Sequence, residues 1–127
     1  MRAIAMVVLL AGCGDKADSG SETTELTFTG VDEILMQSCG FSSCHGEGSG
    51  GLTLDGDGDH EALVGVESTG LAGEILVVSG DPDGSYLIKK MEGASGIEGD
   101  FMPPSGLLEQ ATIDQIRDWI ERGAAND

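Results

Sequence analysis

The sequence predicts a helical domain of short helices joined by long glycine-rich loops, and three observations carry that expectation. Apolar residues recur at helical spacing in two stretches, Val31-Ile34-Leu35 with Ser38 completing the face, and Ile113-Ile116-Ile120 with Trp119 widening the stripe. A third face, formed by Leu87, Ile88 and Met91, lies between a capping Asp83 and a terminating Gly93. The 127 residues include 21 glycines, with 39% hydrophobic and only 4% aromatic content. That is thin for a self-sufficient core yet unlike a disordered chain, so a large bound apolar group would make up the deficit.

Taken in order, the chain starts with Met1-Arg2 and an apolar run from Ala3 to Leu10, too short to span a bilayer as a helix. It leads into Leu10-Ala11-Gly12-Cys13, which resembles the lipobox of bacterial lipoproteins. The resemblance implies a signal peptide over 1–12 and a lipid on Cys13 as the first mature residue. Residues 13–28 would then be the lipidated cysteine and a flexible polar tether, and 29–127 the folded domain. Such a protein faces the periplasmic side of the cell envelope, moored to the inner or outer membrane. Losing Arg2 makes a chain of formal charge −17 still more acidic. A surface of this sign excludes nucleic acid and suits a partner with a basic docking face.

Within the domain, Thr29-Gly30-Val31-Asp32 has the form of a capping box, with Asp32 in place of the usual Glu. The helix it opens runs straight to Cys39. Asp55, Asp57 and Asp59 alternate with glycine, but an EF-hand would need Gly at the position of His60 and Glu at that of Val66. A calcium site is therefore not expected, and the stretch reads as a solvated acidic loop. Residues 60–64 suit one helical turn, and Glu74 to Val78 an extended run. A helix is expected over 84–91. The last helix begins near Glu109, or at Thr112 if Thr112 to Gln115 forms a capping box, and stops at Gly123. Trp119 is expected to cover the first helix.

The chemistry concentrates in Cys39-Gly-Phe-Ser-Ser-Cys44-His45. Two cysteines followed at once by histidine can bind a haem covalently through two thioethers and offer an imidazole to its iron. The usual spacer has two residues; this one has four. Cysteines five apart would point about 140° away from each other on an intact helix. The segment must leave helical geometry between them, and Gly40, Ser42 and Ser43 permit it. The competing reading is a short disulfide between Cys39 and Cys44, with His45 an ordinary surface side chain.

Given a haem at His45, Met102 is the leading sixth ligand. Pro103 and Pro104 place it on a stiff, extended, non-helical stretch where little freedom remains to be lost. His60 is a weaker alternative. Tyr86, Lys89 and Lys90 are candidate donors to haem propionates; otherwise they are a half-buried tyrosine and two solvated lysines.

The motif at 39–45, Gly50-Gly-Leu-Thr-Leu-Asp55, Ser79-Gly-Asp-Pro-Asp-Gly-Ser-Tyr-Leu87, Met102-Pro-Pro-Ser-Gly106 and Ile116-Arg-Asp-Trp-Ile-Glu-Arg-Gly-Ala124 follow one another in an order that resembles the class I cytochrome c domain. The resemblance is closest to the planctomycete-type cytochrome c domains also found in lipoproteins, and it covers about residues 30–124. It implies an all-α, cytochrome c-like fold of about three to four short helices with long glycine-rich loops around one haem, the first and last helices crossing beside it. It further implies haem c on Cys39 and Cys44, His45 as proximal and Met102 as distal iron ligand, and electron transfer to a redox partner rather than catalysis. Two other readings stay open: a haem-based gas or redox sensor in which Met102 leaves the iron, and a haem-free envelope lipoprotein with a Cys39–Cys44 disulfide.

Overall fold

A computed structural model describes residues 25–127. The signal peptide and the lipidation expected at Cys13 lie outside the described residues. Those described form four α-helices and no β-strand: α1 Phe28–Ser38, α2 Asp59–Leu63, α3 Tyr86–Glu92 and α4 Gln110–Glu121. Short 3-10 turns follow at His45–Glu47 and Ser49–Gly51. The extended run expected at 74–78 makes only isolated bridges, Val64 to Val77 and Glu67 to Ile75.

One core joins these elements. Phe28, Val31 and Leu35 of α1 are buried with Ile113, Ile116, Trp119 and Ile120 of α4 and with Leu87, Ile88 and Met91 of α3. The Phe28 ring lies 5.6 Å from that of Trp119, tilted by 37°, so the tryptophan covers the first helix as its stripe requires. Its indole nitrogen donates to the Ala125 carbonyl at 3.0 Å, which satisfies the one polar atom this side chain buries.

The helix starts differ from the sequence expectation, each for a tertiary reason. α1 is capped by Thr27, whose hydroxyl accepts from the Gly30 amide at 3.4 Å, so the expected box at Thr29 and Asp32 does not form. Thr29 instead donates its amide and its hydroxyl to the Asp127 carbonyl, at 3.1 and 3.0 Å. The Asp127 side chain accepts from the Phe28 amide at 2.8 Å, placing negative charge at the helix N-terminus. α3 starts at Tyr86 rather than Gly84. Its first amides go to the extended run, Tyr86 to the Ile75 carbonyl and Leu87 to that of Leu76, while Asp83 is taken by Arg117. Ser85 bridges the Val78 amide and the Asp81 carbonyl instead of capping. Gly93 ends α3 in the left-handed conformation, as expected. α4 starts after Glu109, the first of the two expected positions, and the Thr112 box does not form.

These caps are separable by mutation. Thr27→Ala is expected to cost about 1 kcal/mol, whereas Thr112→Ala, inside α4, should stay within about 0.5 kcal/mol of the parent. Urea denaturation of the two variants measures the difference.

Candidate cofactor site

α1 delivers Cys39 as its C-terminal cap, 8% exposed, with its amide donating to the Leu35 carbonyl at 2.6 Å. The chain then leaves the helix in a tight loop. Cys44 and Gly46 donate their amides to the Phe41 carbonyl at 2.8 and 3.0 Å, and the His45 amide returns to the Cys39 carbonyl at 3.1 Å. That last bond closes the four-residue spacer and brings the second cysteine and the histidine back beside the first. The closure needs small residues. A Cβ on Gly46 would sit 2.5 Å from the Gly40 carbonyl oxygen, and one on Gly40 would meet the Met36 backbone at 3.0 Å. Gly40 was legible as a helix breaker; Gly46 was not singled out by the sequence.

His45 is oriented by backbone. Its Nδ1 lies 3.1 Å from the Leu52 carbonyl oxygen, and the Leu54 amide donates to the His45 carbonyl at 2.9 Å. A carbonyl only accepts, so Nδ1 carries the proton and Nε2 keeps its lone pair for a metal or a donor. This is the second partner that metal-binding histidines ordinarily have.

Met102 reaches the site from a separate segment. Its amide donates to the Lys90 carbonyl at 2.9 Å, tying it to the end of α3. The stretch is a turn rather than extended: the Met102–Pro103 peptide is cis, and the Gly106 amide reaches the Pro103 carbonyl at 3.2 Å. Two cavities, of about 260 and 240 Å³, share the walls Cys39, His45, Gly50 and Met102. The larger is floored by Leu52, Leu76, Leu87 and Met91; Cys44, Pro103 and Pro104 bound the smaller. Either alone falls below the roughly 300–1,000 Å³ of small-molecule sites, and both together fall within it. Four residues expected to share one site, Cys39, Cys44, His45 and Met102, therefore do line adjoining space.

Burial sets the electrostatics at the first cysteine. Burial pushes the Cys39 thiol up to about 11, with the neighbouring Cys44 adding to the rise, and both cysteines are free thiols. Tyr86 is buried and lines the larger cavity, its hydroxyl accepting from the Glu98 amide at 2.9 Å. The lysines are half-exposed and engaged by partners within the fold. Lys90 donates to the Glu98 and Asp100 carbonyls at 2.6 and 2.5 Å and pins that loop over the cavity. Lys89 pairs with Glu74 at 2.6 Å and does not line the cavity. His60 is excluded as an axial ligand by its placement. Its Nε2 lies 2.8 Å from the Ala124 carbonyl oxygen and its ring is edge-on to Phe28, away from both cavities.

The acidic loop also departs from expectation. Asp59 is 1% exposed, and its carboxylate accepts the Asp55 and Gly56 amides at 3.1 and 3.2 Å. It organises the loop from within, as a short acceptor side chain does in an Asx-type turn.

No family model, curated protein or solved structure matches this chain.

Gly46→Ala tests the loop closure. Overpacking at such a contact is expected to cost about 1–3 kcal/mol, read by urea denaturation, while Ser42→Ala on the exposed part of the loop leaves the midpoint unchanged.

Proposed function

We propose that the chain is a membrane-tethered, monohaem c-type cytochrome that carries electrons in the cell envelope. The observation that carries this reading is that an imidazole with a free Nε2 and a thioether line the same apolar cavity, with both cysteines on its walls. The donor set suits haem c: two thiols for thioethers, a nitrogen and a soft sulfur for the axial positions. The helical architecture is read, on the same grounds, as a cytochrome c-like fold.

Cys39 and Cys44 would hold the porphyrin edge, His45 Nε2 and Met102 Sδ would take the iron, and haem would supply a one-electron couple. Leu52, Leu76, Leu87 and Met91 would pack the larger cavity's apolar wall against the haem. The Leu52 carbonyl keeps the proton on Nδ1, so Nε2 is available without a tautomer change. As an iron ligand, the Met102 thioether would favour the reduced metal more than a second histidine would, because it is the softer donor. With His45 and Met102 both holding the iron, no place would be left on it for a substrate, and the protein would act as a carrier rather than an enzyme.

The surface fits a basic partner protein. Lys89, Lys90, Arg117 and Arg122 are all engaged within the fold, Arg117 by Asp83 and Glu92 and Arg122 by Asp118. The remaining carboxylates are left to steer association. Lipid on Cys13 would keep the carrier at the membrane.

Expression in a periplasm with cytochrome c maturation genes tests the reading. The expected product is coloured and stays coloured after acid–organic extraction, and Cys39→Ser with Cys44→Ser together abolish that retention. Met102→Ala is expected to keep the covalent haem but bind carbon monoxide readily in the reduced state, where the parent binds poorly. A parent that binds carbon monoxide as readily as Met102→Ala would favour the sensor reading. A colourless parent with Cys39 and Cys44 disulfide-bonded would favour the haem-free one.

A further inference from the structure

We propose that Ser68 joins Tyr86 as a second hydroxyl donor of the site, and that the two bind carboxylate on the molecule that fills the larger cavity. That this molecule is haem, whose side arms end in carboxylates, rests on the reading given under the proposed function; the donors themselves do not.

Two unspent protons carry it. Ser68 is 8% exposed and Tyr86 4%. Ser68 Oγ accepts the Gly70 and Leu71 amides at 3.2 and 3.3 Å. An amide only donates, so both lone pairs of that oxygen are taken and its own proton remains to be given. Tyr86 Oη accepts the Glu98 amide at 2.9 Å and likewise keeps its proton. Neither hydroxyl donates to an acceptor among the described residues. Ser85, also buried, shows the ordinary arrangement: it accepts from the Val78 amide and donates to the Asp81 carbonyl at 2.8 Å. A buried donor with no acceptor is costly, and interiors seldom keep one unless a bound molecule takes it.

Both residues line the larger cavity with His45 and Met102. The backbone brings them there together. The Ser68 amide donates to the Glu74 carbonyl at 2.7 Å and the Tyr86 amide to the Ile75 carbonyl at 2.8 Å, so the two hang from successive residues of one extended run. Leu76, next in that run, is part of the cavity wall. Two hydroxyls on an otherwise apolar wall suit a molecule with an apolar body and a polar arm to be oriented.

The charge on that wall sets the sign of the arm. Lys90 lines the same cavity; its ammonium donates to the Glu98 and Asp100 carbonyls and meets no carboxylate among the described residues. Glu98 and Asp100, the acidic residues of the wall, are exposed. Donors beside an unneutralised cation favour an anion, and a carboxylate has the two oxygens to accept from them.

Ser68→Ala and Tyr86→Phe each remove one donor. In the haem-loaded protein, the propionate bending band of the resonance Raman spectrum is expected to move to lower frequency in each variant. Thr112→Ala, inside α4, is expected to leave it in place. A coloured protein whose band is the same in all four forms would overturn the proposal. A colourless parent would sink the haem reading instead, and the full haem-free chain, titrated with metal-free protoporphyrin and with its dimethyl ester, then tests the donors alone. The acid is expected to bind the parent roughly tenfold more tightly than the ester, and this preference to shrink in both variants. A merely structural role for either hydroxyl would weaken acid and ester alike. Equal affinities in the parent, a preference kept in full by both variants, or binding of neither probe would overturn the proposal.

Discussion

The hydrogen bond between His45 Nδ1 and the Leu52 carbonyl, at 3.1 Å, is the constraint on which the site depends. It fixes the ring, the tautomer and the direction of the remaining lone pair with a single backbone oxygen. The rest of the local structure serves it. The Leu54 amide holds the histidine's carbonyl, the glycine-rich turns at 48–51 carry the chain round to Leu52, and the acidic loop anchors that segment from below. With Nδ1 spent on the carbonyl, Nε2 is the nitrogen left to meet a metal.

A second and separate device places Met102. The sulfur-bearing residue is not rigid by virtue of its prolines alone; its amide is held by the last turn of α3, whose Lys90 also pins the loop at 98–100. α3 is itself fixed by packing on α4 and by the extended run that accepts its first amides. The two walls of the cavity thus come from opposite ends of the sequence and meet only because one core unites α1, α3 and α4.

What the sequence made legible follows from this division. That the cysteines, His45 and Met102 share adjoining space was legible from residue type and short spacing, and the place of Trp119 because its stripe needed a partner. The helix positions were legible to within a few residues, since apolar period and terminating glycines are local signals. The caps were not. Thr27 wins over Thr29 because Asp127 claims the latter, and Ser85 cannot cap because Val78 and Asp81 occupy its hydroxyl. The partners of Lys89, Lys90 and His60 were not legible, because Glu74, the 98–100 carbonyls and Ala124 lie far along the chain or on another element. Asp59 read as solvated because alternating Asp and Gly gives no hint that the loop folds around one of them. Gly46 escaped notice because its need for a missing Cβ arises only when the spacer closes.

The central claim is that His45 and Met102 face one another across a covalently held haem. Proton NMR of the reduced, haem-loaded protein tests it most directly, since a methionine methyl bound over a porphyrin is moved far upfield by the ring current. The account predicts one such signal, lost in Met102→Ala. A loaded protein without it, or with the signal intact in that variant, would contradict the account.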